Sequence, residues 1–435
     1  MKSFLSFLVS RSSTRTITNL GPNHRSQITP SRFPATWNWA LLVVLPLIAV
    51  MALGACNPQL GSSVRGWSPA VASEGVVYVA TQQGKLKALI DDDSGVVSVK
   101  WVFPPGEEQL GGVFNTPVVG AEHIYVAAAD GTLYAIDKET GTIGPRGWTS
   151  SLVQDPDNQH LVSGPVFDAG ENTILVGSED QHLYAIDASS GAEKWRFMAG
   201  DKVWSTPTIA NETVYFGSHD RNIYALDLAT GGLKWQFPTG GAVVARPLVW
   251  RDMVLVGSFD RKLYALDADQ GNELWTFEGA SNWIWSGAVA SDSFVFAPSL
   301  DGHVYALDSV GILQWDYDAG SPLVADPVIV PRGLVVASSP PRKSTAARII
   351  VLNTSTGDEI FSPDLDVADS QIKAPLFTLP ADAVLPGEGG ISAASDASLE
   401  SVFVGATDGS VRRVQIRSAR TLIWCFDTRE ETPCN

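Results

Sequence analysis

The run Ala225-Leu226-Asp227-Leu228-Ala229-Thr230-Gly231-Gly232-Leu233-Lys234-Trp235 decides the fold, because it recurs along the chain. Runs 185–195 and 265–275 repeat its span from Ala to Trp; 306–315 is one residue shorter and 135–148 three longer. The pentapeptide that opens it, Ile223-Tyr224-Ala225-Leu226-Asp227, has close copies at 133–137, 183–187, 263–267 and 304–308 and degenerate ones at 86–90, 349–353 and 411–415. Their last residues are separated by 47, 50, 40, 40, 41, 45 and 62 positions. A period near forty residues is that of a four-stranded propeller blade. The longer steps carry visible insertions at 155–158, 340–343 and 381–398.

One unit resolves into four short strands. Thr208-Ile209-Ala210 follows a proline, Thr213-Val214-Tyr215-Phe216-Gly217 comes next, and Ser218-His219-Asp220-Arg221 turns into the Tyr-Ala-Leu-Asp strand. A turn at 229–232 then leads to Lys234-Trp235-Gln236-Phe237. β-Branched and aromatic residues bounded by Gly, Asp and Pro turns are what such strands require. No stretch beyond the first 55 residues has a helical period. Eight complete units predict an all-β chain folded as one eight-bladed β-propeller of four-stranded antiparallel blades.

The run from Ala225 to Trp235 resembles the tryptophan-docking motif of pyrroloquinoline-quinone-type repeat propellers, and the resemblance covers about residues 66–426. It implies that Trp101, Trp148, Trp195, Trp235, Trp275, Trp315 and Trp424, with Phe361, pack between blades. A small Ala leaves a hollow, Gly permits a turn with positive φ, and the indole fills the space. These tryptophans therefore read as structural.

Residues 1–55 hold Lys2, Arg11, Arg15, Arg25 and Arg32 and no acid. The whole chain has 30 Lys plus Arg against 47 Asp plus Glu; without this segment, 25 bases face 47 acids, a net charge of −22. Such an excess of acid repels phosphate backbones and predicts no nucleic-acid partner. Residues 40–55 form an uncharged run, interrupted by Pro46 and shorter than the roughly 20 apolar residues of a spanning helix. It fits a secretory segment ending in small residues. Leu53-Gly54-Ala55-Cys56 resembles a bacterial lipobox, which implies acylation of Cys56, a tether over 56–66, and an exported body over 67–435 held at a membrane by its lipid. Cys425 and Cys434 then remain as an even pair, able to close a small loop in an oxidising compartment or to stay as free thiols.

Catalytic signatures are missing: there is no GxSxG, HExxH, Walker A or GxGxxG pattern and no CxxC. His182, His219 and His303 fall in the polar turns of separate units and read as solvated. Asp267-Ala268-Asp269-Gln270-Gly271 departs from a calcium loop in its early Gly and missing Glu. The informative positions precede the first strand of each blade, where the units diverge although their scaffolds agree. Asn115, Trp204, Arg246, Trp283, Trp285, Asp326 and Lys373 lie there. Loops on a rigid scaffold are where binding residues collect. The segments read either as a recognition surface at one mouth of the central channel or as side chains plugging it, with an Arg–Asp pair.

Lipidation, the eightfold repeat and the length are similar to the propeller-lipoprotein family of the outer-membrane β-barrel assembly machinery. That resemblance implies a monomeric, non-enzymatic scaffold without a cofactor, holding an envelope protein partner through its loops. Quinoprotein dehydrogenases share the repeat, but they carry adjacent cysteines and a calcium site with an acidic base, and no adjacent Cys pair occurs here. A propeller binding a glycan or small molecule at a Trp-rich mouth is the third reading.

Overall fold

The chain divides into residues 1–61 and 62–435. The computed structural model describes residues 70–433 except 82, 92–96, 154–159, 340–346, 363–375, 379–400, 406–409, 416–421 and 428–431. Residues 1–61, including Cys56, lie outside the described residues, as do Lys373, Cys434 and the three insertions.

Every element among the described residues is a β-strand. Eight antiparallel sheets follow one another as blades spanning 70–103, 118–151, 166–198, 208–238, 248–277, 289–318, 328–361 and 377–433. Within each, strands pair in the order of the chain, so each blade is a meander of hairpins. This is the predicted eight-bladed propeller. The eighth blade differs in having a fifth strand, Thr432–Pro433, paired onto Leu422–Asp427.

Period-two alternation explains why the inner strands are apolar on both sides. In blade 4, Val214, Phe216, Tyr224 and Leu226 pack with Leu175, Leu183 and Ala185 of blade 3. The intervening Tyr215, Ile223 and Ala225 pack with Val254, Val256 and Leu266 of blade 5. Each sheet thus contributes to two inter-blade cores, and in blades 1 to 7 the second strand is buried at every position. The ring closes in the same way: Ala70, Ala72, Val77, Val79 and Leu89 of blade 1 share a core with Val411 and Phe426 of blade 8. Among the described residues all strands of blade 1 come from 70–103 and all of blade 8 from 377–433, so no strand is exchanged between them there and the two blades meet by packing.

The docking tryptophans join neighbours. Trp101 Nε1 donates to Lys138 O (2.9 Å), Trp148 to Ala188 O (3.0 Å), Trp195 to Leu228 O (2.9 Å) and Trp235 to Ala268 O (2.9 Å). Trp275 donates to Ser309 O (3.1 Å) and Trp315 to Thr354 O (3.2 Å). Each acceptor belongs to the turn before the fourth strand of the following blade. Each indole also lies over that turn's glycine; a Cβ built on Gly271 would sit 2.5 Å from Trp235 Cδ2, and its φ is +72°. Both facts demand glycine. Within a blade the Trp faces the small Ala of the third strand, as in the pairs Ala225 with Trp235 and Ala265 with Trp275. In blade 7 Val351 and Phe361 take these places, and in blade 8 Arg413 and Trp424.

Candidate functional site at one mouth of the ring

Antiparallel strands reverse direction at every turn. The turns between second and third strands therefore share a face with the connections that lead from one blade into the next. A repeated serine stitches the two together. Ser218 Oγ donates to Asp201 O (2.9 Å) and lies within hydrogen-bonding distance of Lys202 O; Ser258 and Ser299 address Gly241–Ala242 and Asn282–Trp283 in the same manner. The residue after each serine then bonds the connection through its amide: His219 N to Lys202 O, Phe259 N to Ala242 O, Leu300 N to Trp283 O. Backbone bonds fix this register, and the side chains at those positions are free to differ.

They differ in a consistent direction across blades 3 to 6. Glu179 is nearly buried, and its carboxylate accepts from His160 Nδ1 (2.8 Å), Trp204 Nε1 (3.1 Å) and Lys202 Nζ (3.3 Å). Burial alone would raise the Glu179 pKa, but the His160 hydrogen bond and the Lys202 charge outweigh it and hold the carboxyl below its usual range. The Trp204 ring meets His219 edge-on, centroids 4.4 Å apart. His219 in turn approaches Phe259 at 6.4 Å. Phe259 stacks on Trp283 at 4.2 Å with planes 8° apart, and on Trp285 at 5.4 Å and 20°. Trp204, Trp283 and Trp285, which come from two different connections, are thus linked into one half-buried aromatic array. The linkers are His219 and Phe259.

His219 corrects an expectation. It is half-buried, its Nε2 is sealed from solvent, and burial pushes its pKa down; packing between Trp204 and Phe259 removes the water that a turn residue would otherwise have. His182 and His303 behave differently, each bonded within its own blade, to Asp180 and Asp316 respectively. Sequence reading passed over Glu179, His160 and Phe259. A signal for two of them was present: the repeated Ser178, Ser218, Ser258 and Ser299 are followed by Glu, His, Phe and Leu.

The remaining residues divide. Asn115 is buried, and its Nδ2 donates to Ala127 O and Leu161 O, both at 3.1 Å, which ties blade 2 to the connection into blade 3. Ser205 and Ser286, at the matching position in later connections, donate onward to Ala245 O (2.8 Å) and Leu323 O (3.2 Å). Arg246 is exposed and Asp326 half-buried, and they flank Gly287. Asp326 Oδ1 accepts from Gly287 N at 2.7 Å, and a Cβ on Gly287 would lie 3.2 Å from both Asp326 Oδ2 and Arg246 Cβ. Burial raises the Asp326 pKa, while the Gly287 amide and the Arg246 charge pull it back. Among the described residues no group of three or more His, Cys, Asp or Glu is placed to hold a metal ion. The site offers aromatic surface, the carboxylates of Glu179 and Asp326 and the cations of Lys202 and Arg246.

Comparison with known proteins gives a consistent result. A family model described as outer membrane protein assembly factor BamB matches residues 53–144, 142–275 and 259–422. The outer membrane protein assembly factor BamB of Xanthomonas campestris pv. campestris is 27% identical over 171 residues, 38% of this chain. The match spans 39% of that relative's length. The crystal structure of BamB from Moraxella catarrhalis superposes with a TM-score of 0.52 at 20% identity, covering 62% of this chain and 79% of that one. The computationally designed protein Ika8 gives 0.60 at 15%, covering 81% and 97%. At these identities the two structures speak for the fold alone.

Proposed function

The chain belongs to the family of the outer membrane protein assembly factor BamB, and from that premise we propose that it is a non-enzymatic scaffold holding a protein partner during outer-membrane protein assembly. The observation that carries the reading is the array from Trp204 through His219 and Phe259 to Trp283 and Trp285, set on one face of a rigid ring. Half-buried aromatics on a preformed surface serve as anchors because they bury large area at little cost in side-chain entropy. Arg246 and Asp326 add polar selectivity beside them, and Glu179 positions Trp204.

In this reading residues 1–55 export the chain, Cys56 carries the lipid, residues 56–66 form the tether, and the body works outside the cytoplasm as a monomer. Cys425 is disulfide-bonded. The register that pairs Phe426 with Pro433 and Asp427 with Thr432 supports Cys434 as its partner, pinning the fifth strand of blade 8.

The test is crosslinking in cells with a photoreactive residue at position 283. It should trap an envelope protein, and Trp204→Ala with Trp285→Ala should abolish the product while the fold, checked by melting, persists. Crosslinks that survive both substitutions would remove the mouth from the interface. Stoichiometric binding of a quinone with calcium, or of an oligosaccharide, at the same positions would replace the scaffold reading with one of its two rivals.

A further inference from the structure

Just inside the mouth, the connections hand over to the first strands of the blades. These strands adjoin one another, as in blades 1 and 2, 4 and 5, 6 and 7, and 8 and 1, and so form the innermost ring. The residue that enters the first strand is Thr116, Gly164, Thr206, Arg246, Gly287 and Asp326 in blades 2 to 7 respectively. A proline follows in all of these but blade 6. Proline has no N–H, so the entering residue carries the last amide before the strand.

Two of these amides are satisfied across the blade boundary, by the side chain at the same position of the next blade. Gly164 N donates to Thr206 Oγ1 at 3.0 Å, and Gly287 N donates to Asp326 Oδ1 at 2.7 Å. Between them the pattern breaks. The side chain placed to accept from Thr206 N belongs to Arg246, and a guanidinium only donates. The residue placed to accept from Arg246 N is Gly287, which has no side chain. Neither amide has an acceptor among the described residues, and the Arg246 guanidinium makes no hydrogen bond or ion pair with any of them. Asp326 does not fill the role: its Oδ1 is spent on Gly287 N, and it acts on Arg246 only through its charge. Arg246 is exposed, and Gly287 leaves room beside it, since a Cβ there would stand 3.2 Å from Arg246 Cβ. Thr206 Oγ1 adds a further donor, because it receives Gly164 N on a lone pair and keeps its own proton.

We infer that this stretch of the channel wall, formed by Thr206 and Arg246, binds a carboxylate. The planar guanidinium matches the two carboxylate oxygens, and the amides and hydroxyl donate to the remaining lone pairs. A singly charged anion suits the site, because one guanidinium faces it while the Asp326 carboxylate stands across Gly287 and repels a dianion such as phosphate more strongly. The site stands whether or not the mouth holds a protein. Its carboxylate comes from a free acid or from an acidic residue of a chain seated at the mouth.

The test is an amide-resolved NMR titration of the whole chain. Sodium acetate added at constant ionic strength should move the Thr206 and Arg246 amide signals along one saturable curve, and acetamide, the neutral isostere, should leave them in place. Arg246→Gln should weaken acetate by at least about tenfold, and Asp326→Asn, which removes the opposing charge, should tighten it by about twofold. Arg246→Gln should melt as the parent does, which separates lost binding from lost folding. A blocked tripeptide with a central glutamate that binds more tightly than acetate would assign the carboxylate to a polypeptide, and equal binding would assign it to a free acid; both uphold the inference. Acetamide moving the same signals, Arg246→Gln binding acetate like the parent, or inorganic phosphate binding more tightly than acetate would overturn it.

Discussion

Replacing Trp235 with Ala tests whether docking tryptophans hold the ring together. Trp235 is 8% exposed, packs on Gly271 and donates to Ala268 O. Burying an indole removes roughly 150–250 Å² from water, an upper bound of about 4–6 kcal/mol. Aromatic-to-Ala substitutions in cores cost about 3–5 kcal/mol. The lost hydrogen bond adds little, because Tyr215 Oη also donates to Ala268 O at 3.1 Å and keeps that carbonyl satisfied. A total of about 4 kcal/mol follows. Unfolding entropy near 2.1 cal/mol/K per residue gives a body spanning residues 62–435 roughly 0.8 kcal/mol/K, so Tm should fall by about 5 °C if the ring melts as one unit. Trp235→Phe keeps most of the burial and should lose about 2 °C. Calorimetry reads the shift. Hydrogen exchange should show the loss concentrated in blades 4 and 5, since each repeat leans only on its neighbours. A Trp235→Ala protein melting within about 1 °C of the parent would refute the reasoning.

Asp326→Asn should raise the melting temperature at neutral pH and do little in acid. The folded pKa of Asp326 is raised, so ionising it costs stability as pH climbs past its unfolded value, and Asn removes that cost while still accepting from Gly287 N; a lower melt at pH 7 would contradict this. The opposite sign holds for Asp187, whose Oδ1 accepts from the amides and hydroxyls of Ser189 and Ser190 and whose pKa falls to about 2. Asp187→Asn should be less stable than the parent above about pH 5, with the gap closing between about pH 4 and 2; a gap independent of pH would count against the turn. Cys56→Ser should release the exported body from the membrane, as read by fractionation, and a protein that stays bound would defeat lipid tethering.

How far the sequence speaks depends on whether a feature repeats. The Tyr-Ala-Leu-Asp strand, its turn and its Trp recur often enough that five strong copies expose three weak ones, and the eight blades are legible from them. Thr432–Pro433, the fifth strand of blade 8, has no counterpart among the described residues of the other blades, so no periodicity announces it. At the mouth, Trp204, Trp283 and Trp285 stand out because docking leaves them unexplained. Phe259 and His219 do not, because each looks like an ordinary turn residue until antiparallel alternation sets its turn beside the connections. Asn115 misleads in the other direction. It sits in a divergent segment, yet its amide is spent on two backbone carbonyls in the interior.

The mouth departs from a repeat whose physical demands are known, and that is what gives a departure meaning. Ser205 and Ser286 donate to the next connection where Ala245 cannot, and the ring tolerates the exchange, so that position carries packing with little selection on identity. The neighbouring position reads Gly164, Thr206, Arg246, Gly287 and Asp326. No packing requirement spans glycine to arginine. Burial raises the Asp326 carboxyl although the Gly287 amide donates to it, so ionising it there costs stability, and residues that lower stability persist where they do something else. Blades compared within one chain therefore act as controls for one another.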